Sequence, residues 1–133
     1  MQLPSLTDIE GAAKVIAPHC PPTPQYAWPL LAARAGCEVW VKHENHTPIG
    51  AFKLRGGLYL LHTLTRNGAR PRGLVSATRG NHGQSLALAG RLHDVPVTIV
   101  VPHGNSSEKN AAMRAFGATL VETGADFEAA RAA

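Results

Sequence analysis

The chain has 133 residues, of which 44% are apolar and 17% charged, with a net charge of +4. That length supports a single core, and that composition excludes a disordered or low-complexity chain. The basic residues are scattered, from Lys42 and Lys53 through Arg79 to Arg114, and only 5% of residues are aromatic, which argues against nucleic acid as a partner.

In chain order, residues 5–10 open a helix that Ser5 or Thr7 can cap, with Asp8 and Glu10 at the positive end of its dipole. Leu6, Ile9, Ala13 and Ile16 fall at helical spacing and are expected to pack on the body, with the helix ending near Pro18. The prolines of residues 21–24 make a rigid extended connector, and residues 30–35 form a short helical turn that stops at Gly36. Residues 38–44 alternate apolar and polar side chains and are predicted as a strand; residues 45–50 interrupt regular structure. From Phe52 the pattern is helical, with Leu54, Leu58, Leu61 and Leu64 on one side and Asn67-Gly68 as the stop.

After residue 72 the chain alternates strands and helices. Strands are predicted at 74–77, 97–101 and 119–122, and helices at 81–92 and 106–116, the latter capped by Ser106 or Ser107. Strands separated by helices imply βαβ crossovers and a parallel sheet, so the fold class is α/β. A last helix starts at Asp126 with no evident cap or stop, which suggests a sequence that halts inside an element. No basic, apolar leader stands at the N-terminus, and no apolar run approaches the roughly 20 residues of a membrane span. Cys20 and Cys37 are too few and too distant for a disulfide framework or a cysteine-based zinc cluster, and the histidines show no metal-ligand spacing. A reducing, cytoplasmic setting is therefore expected.

Two segments carry chemistry. In Gly50-Ala51-Phe52-Lys53-Leu54-Arg55-Gly56-Gly57, a lysine stands between an aromatic residue and glycines at the start of a helix. It is either a covalent attachment point for a carbonyl cofactor or an ordinary surface lysine. Attachment needs an unprotonated amine, favoured by an apolar wall such as Phe52 or a neighbouring cation such as Arg55. The second segment, Thr78-Arg79-Gly80-Asn81-His82-Gly83, follows a strand and opens a helix, where parallel sheets bind ligands. Its hydroxyl, amide and N–H groups suit a carboxylate or a phenolate oxygen; the alternative is a βα turn capped by Asn81, with His82 solvated.

Together, Lys42-His43-Glu44-Asn45, the run from Pro48 to Gly57, and the loop from Ser76 to Gln84 resemble the fold type II pyridoxal-phosphate enzymes, in particular the serine/threonine dehydratases. Pro22-Thr23-Pro24 is similar to their Thr-Pro entry segment, and the likeness extends from about Pro21 to Leu120. Lys53 and Asn81 stand 28 residues apart, in the family's order. The resemblance implies a tryptophan-synthase-β-like architecture. Residues 1–68 would begin the large cofactor domain and residues 69–133 would form a small βα domain cut short at its end. It further implies that Lys53 holds pyridoxal 5'-phosphate as a Schiff base and acts as the base at the substrate α-carbon, with Phe52 beside the cofactor and Asn81 on its 3-oxygen. Thr78, Gly80, Asn81 and His82 would bind the substrate carboxylate. The implied activity is dehydration and deamination of threonine or serine to a 2-oxo acid and ammonia, in a homo-oligomer of the full-length protein, with no metal, membrane or nucleic-acid partner.

Three positions depart from the family pattern. Ile49 stands where a smaller or hydroxylated residue is usual, and Ala51 replaces the commoner serine. Arg79 occupies the place where dehydratases have a small residue and serine racemases a serine that serves as second acid/base; it either meets a second acidic group on the substrate or points to solvent. The family's glycine-rich phosphate loop and its partner for the pyridine nitrogen come from later sequence and have no counterpart here. The alternatives are an inactive fragment or pseudoenzyme, a hydroxyaspartate dehydratase, or a serine racemase. A generic nucleotide-binding module predicts a Gly-x-Gly-x-x-Gly turn, which the chain lacks.

Overall fold

The structure, a computed structural model, describes residues 3–133. Helix α1 (Leu6–Ile16) begins with a reciprocal cap in which Asp8 N–H donates to Ser5 Oγ (3.2 Å) and Ser5 N–H donates to the Asp8 carboxylate (2.8 Å). Its apolar face is not buried as expected. Leu6 is 71% and Ile9 55% exposed, and of that face only Ile16 packs on the core; a cleft of about 390 Å³ opens between residues 9–17 and Arg55 of α3.

Strand β1 (Gln25–Ala27) lies in the stretch after the proline connector and pairs antiparallel with β2 (Trp40–Lys42). Three exposed residues carry no alternation signal, so only the pairing makes β1 a strand, and it also limits β2 to three of the seven residues expected. Between them α2 (Pro29–Ala35) has proline in its first turn and ends at Gly36, whose φ of +70° is the left-handed conformation glycine adopts without strain.

Helix α3 (Lys53–Thr65) buries Leu54, Leu58 and Leu61, whereas Leu64, expected on the same side, is 37% exposed. The helix proper ends at Thr65, and a 3-10 turn (Arg66–Gly68) finishes the segment. Next follow β3 (Leu74–Ala77), α4 (Asn81–Leu92), β4 (Val97–Val101), α5 (Ser107–Ala115) and β5 (Thr119–Glu122). The three strands form a parallel sheet in the order β3-β4-β5, with Ser76 opposite Ile99 and Ile99 opposite Leu120. Central β4 buries Val97, Ile99 and Val101, while β3 is an edge strand whose Val75 is 75% exposed. Ser106, of the two candidates, caps α5. Helix α6 (Phe127–Ala132) does possess a cap: Ala129 N–H donates to Asp126 Oδ1 at 2.9 Å.

One apolar cluster runs from α3 through Leu86–Ala89 of α4 into β4 and Met113 of α5. The α3–α4 contact at its centre is what positions the site, since each helix begins with one of the two segments singled out above. Among the described residues no helix is long and apolar enough to cross a membrane.

Candidate active site

The loop leading into α3 is held by its own side chains. Buried Thr47 accepts from Ala51 N–H at 2.8 Å and donates to Ala51 O at 2.8 Å, and Gly50 turns the chain with φ of +68°. Lys53 is thereby the first residue of α3. Its Nζ lies 5.5 Å from the centroid of the Phe52 ring, which is itself exposed. Among the described residues Lys53 has no carboxylate within ion-pair distance and no hydrogen-bond acceptor for Nζ.

Arg55 does not serve as the neighbouring cation suggested by the sequence. Its guanidinium grips Glu44 with two bonds, Nε to Oε2 at 2.8 Å and a terminal nitrogen to Oε1 at 2.9 Å. Thr23 Oγ1 donates to the same carboxylate at 2.7 Å, and Lys42 Nζ stands 3.7 Å away. The Arg55 bonds, aided by Thr23 and by the charges of Arg55 and Lys42, outweigh burial and hold the Glu44 carboxyl at about 2. This clamp ties the proline connector, the turn after β2 and the first turn of α3 together on the side facing the α1 cleft.

Because the folded carboxyl titrates below its ordinary 4.5, the clamp's stabilisation is complete above that value and fades as pH falls through about 2. Glu44→Gln is expected to lower stability by about 2 kcal/mol at neutral pH. The gap from the native chain should stay constant above pH 5 and shrink between the two pKa values, as read from urea midpoints against pH.

The second segment follows β3. Thr78 is buried and its N–H donates to Val100 O at 3.0 Å, and Gly80 N–H reaches Thr78 Oγ1 at 3.4 Å. Gly80, not Asn81, is the N-cap of α4, and no side chain caps the helix. The first N–H groups of α4 therefore lack a helical acceptor, and Asn81, whose side chain is exposed, adds an amide beside them. The His82 imidazole is held below its ordinary pKa, first by desolvation and then by the positive charge of Lys53, and the bond from Ser85 to the Lys53 carbonyl brings the heads of α3 and α4 together. Arg79 is exposed and, among the described residues, unpaired. The chain of Lys109, from α5, lies over Gly80: a Cβ there would sit 3.2 Å from its Nζ.

The structure thus gathers Phe52, Lys53, Thr78, Gly80, Asn81 and His82 at one end of the helix pair, with Arg79 exposed beside Gly80 in the same loop. Sequence reasoning quoted Glu44 only as part of a motif, without its partner Arg55, and did not single out Thr47, Lys109 or Ser85, whose Oγ donates to Lys53 O at 2.7 Å. Only the position of Ser85, four residues after Asn81 and on the same face of α4, hinted at a role. An amine free of a counter-ion beside an uncapped helix N-terminus is suited to hold a carbonyl compound at the one and an anion at the other.

Comparison with known proteins agrees with this arrangement. The family described as "Pyridoxal-phosphate dependent enzyme" matches residues 16–133. L-threo-3-hydroxyaspartate ammonia-lyase of Pseudomonas sp is 39% identical over 121 residues, covering 91% of this chain and 38% of that protein. Among solved structures, serine racemase from Dictyostelium discoideum superposes with a TM-score of 0.84 at 33% identity, over 96% of this chain and 41% of that one. The threonine deaminase of T.th. does so with a TM-score of 0.81, also at 33% identity, over 97% and 40%. The chain thus spans about two fifths of the length of these relatives. With the family matched over residues 16–133 and the same fold in those structures, this chain belongs to the pyridoxal-phosphate-dependent enzymes.

Proposed function

We propose that this chain supplies the cofactor lysine and the carboxylate-binding loop of an ammonia-lyase that converts a hydroxy amino acid, threonine or serine, to a 2-oxo acid and ammonia. The observation that carries the reading is Lys53 at the head of α3, with no carboxylate partner among the described residues and with its carbonyl bonded to Ser85 of α4. These residues fit pyridoxal phosphate: an amine for its carbonyl carbon, an aromatic ring beside that amine, and the Asn81 amide for the 3-oxygen. No residue of this chain is assigned to the phosphate or the pyridine nitrogen.

When bound, the cofactor supplies an electron sink for charge developing at the substrate α-carbon. Lys53 Nζ would be the point of covalent attachment and, as a free amine, the base that takes the proton from the substrate α-carbon. Thr78, Gly80, Asn81 and His82 hold the substrate carboxylate through the hydroxyl and the open N–H groups of α4. Phe52 excludes water from one side of the amine. Residues 1–68 would belong to a larger cofactor domain and residues 69–133 to a smaller βα domain, a division supported by the separate two-stranded and three-stranded sheets. Free Cys20 and Cys37 support a reducing, cytoplasmic compartment. Exposed Trp28, Leu30 and Trp40 support burial against further protein, in a homo-oligomer of the enzyme.

A second reading, a hydroxyaspartate ammonia-lyase, is favoured by Arg79, an exposed cation without a carboxylate partner among the described residues in the loop assigned to the substrate. The test is 2-oxo acid release from threonine, serine and threo-3-hydroxyaspartate with added pyridoxal phosphate. Faster turnover of threonine or serine supports the first reading. Faster turnover of hydroxyaspartate, lost by at least about tenfold in Arg79→Ala, selects the second, as expected for a charge-assisted contact to substrate. Capture of the cofactor on Lys53 without turnover of any of the three, by a protein that contains this chain together with the phosphate-binding part of the site, would select the inactive reading.

A further inference from the structure

Ser85 is fully buried where α3 crosses α4, and its hydroxyl donates to the main-chain carbonyl of Lys53 at 2.7 Å. In a regular helix that carbonyl serves the N–H four residues on, so the bond from Ser85 is an additional, lateral one. A serine inside a helix ordinarily bonds a carbonyl of its own helix or faces water. Ser85 instead reaches a residue 32 positions away in the chain. Gly57 makes room for it: a Cβ at Gly57 would overlap Ser85 Oγ and come within 3.1 Å of Ser85 O. The locked crossing lies one turn beyond Lys53 on α3 and one turn beyond Asn81 on α4.

We propose that Ser85 is a positioning residue whose hydrogen bond fixes the first turn of α3 against the first turn of α4 and so sets the separation of Lys53 Nζ from Asn81 and His82. The first turn of α3 has no side-chain cap, because Phe52 occupies the N-cap. Toward the α1 cleft it is held by the Arg55–Glu44 pair, and toward α4 by Ser85. Without the hydroxyl the Lys53 carbonyl keeps its helical bond, so the helix survives, but the turn carrying the amine loses its tie to α4. The consequence for catalysis rests on the reading of Lys53 as the cofactor lysine; the positional coupling itself does not.

The experiment compares the native chain with Ser85→Ala, Ser85→Cys and Lys53→Gln by two readouts. The first is the titration midpoint of the His82 ring protons by NMR. His82 is faced by Lys53 from α3, while Arg79 of its own loop and Lys109 of α5 stay in place in every variant. Ser85→Ala is expected to raise the His82 midpoint partway toward that of Lys53→Gln, Ser85→Cys to raise it less, and Ser85→Ala to add nothing in the Lys53→Gln background. An unchanged midpoint in Ser85→Ala overturns the inference. The second readout is borohydride trapping of pyridoxal phosphate, with product on Lys53 compared with product on Lys42 in the same sample by peptide mass. That ratio is expected to fall roughly fivefold in Ser85→Ala, the scale of one lost hydrogen bond. Because unfolding would free Lys42 from Thr23 and Glu44 and so also lower the ratio, the ratio is read only where the His82 resonance reports folded chain. If Lys53 is not trapped even in the native chain, the cofactor reading fails, while the His82 midpoint still decides the role of Ser85.

Discussion

Lys53→Ala is expected to remove site-specific capture of pyridoxal phosphate completely, leaving only slow, unselective labelling of the other lysines. The chain has four lysines, at positions 14, 42, 53 and 109, so the competition is easily resolved. Imine formation needs a free amine, and a lysine engaged by acceptors is a poor nucleophile. Lys42 donates to Thr23 O at 3.3 Å and stands beside the Glu44 carboxylate. Lys14 is an exposed helix residue with no neighbouring segment built to receive a ligand. Lys109 lies over Gly80 at the head of α4, but among the described residues Lys53 is the lysine that combines an unengaged Nζ, an adjacent aromatic ring and a facing helix N-terminus. The measurement is the imine absorbance on titration with pyridoxal phosphate, followed by reduction and peptide mapping. Lys53→Arg, which keeps the charge but not the nucleophile, should behave like the alanine variant. Undiminished absorbance in either would remove Lys53 from the proposed mechanism.

Gly57→Ala should destabilise the fold by about 3 kcal/mol, at the upper end of the overpacking range, because the new methyl group meets the rigid centre of a helix crossing. The first obstacle is Ser85 Oγ, followed by Ser85 O at 3.1 Å and its carbonyl carbon at 3.2 Å, so the clash is part side chain and part backbone. A gain of up to about 1 kcal/mol from replacing a helical glycine partly offsets the cost. Ser85→Ala removes the nearest obstacle, so the Gly57→Ala/Ser85→Ala pair should recover most of the loss. Equal destabilisation in the single and double variants, by thermal or urea unfolding, would show that the crossing is limited by backbone alone. Residues in contact are expected to be non-additive in this way.

Much of the chain was legible from local pattern. The strands at Leu74–Ala77, Val97–Val101 and Thr119–Glu122 and the helix at Asn81–Leu92 have the bounds that periodicity and glycine or proline punctuation assign to them. They do so because hydrophobic period and turn chemistry act over a few neighbouring residues. Strand β1 escaped because three exposed residues have no pattern to read; its partner, 15 residues further on, makes it a strand. The cap of α6 was missed, although an aspartate three residues before the bonded amide is a recognisable N-cap signal. The exposure of Leu6, Ile9, Leu64 and Val75 was not foreseeable either, since apolar spacing marks a face without saying whether anything covers it.

The sequence by itself determined the order of the elements other than β1, the α/β class and, through Lys53 and the Thr78–Gly83 loop, the family. Each of these rests on residues adjacent in the chain or on motifs in a fixed order. Tertiary structure alone decided that Arg55 turns to Glu44 and away from the amine, that Gly80 leaves α4 uncapped, and that Ser85 holds the carbonyl of Lys53. The physical reason is that a side chain's partner depends on how two helices pack. Small residues permit that packing, but the chain between the helices does not encode it in any local pattern. The lysine was visible in the sequence; what holds it against its neighbours was not.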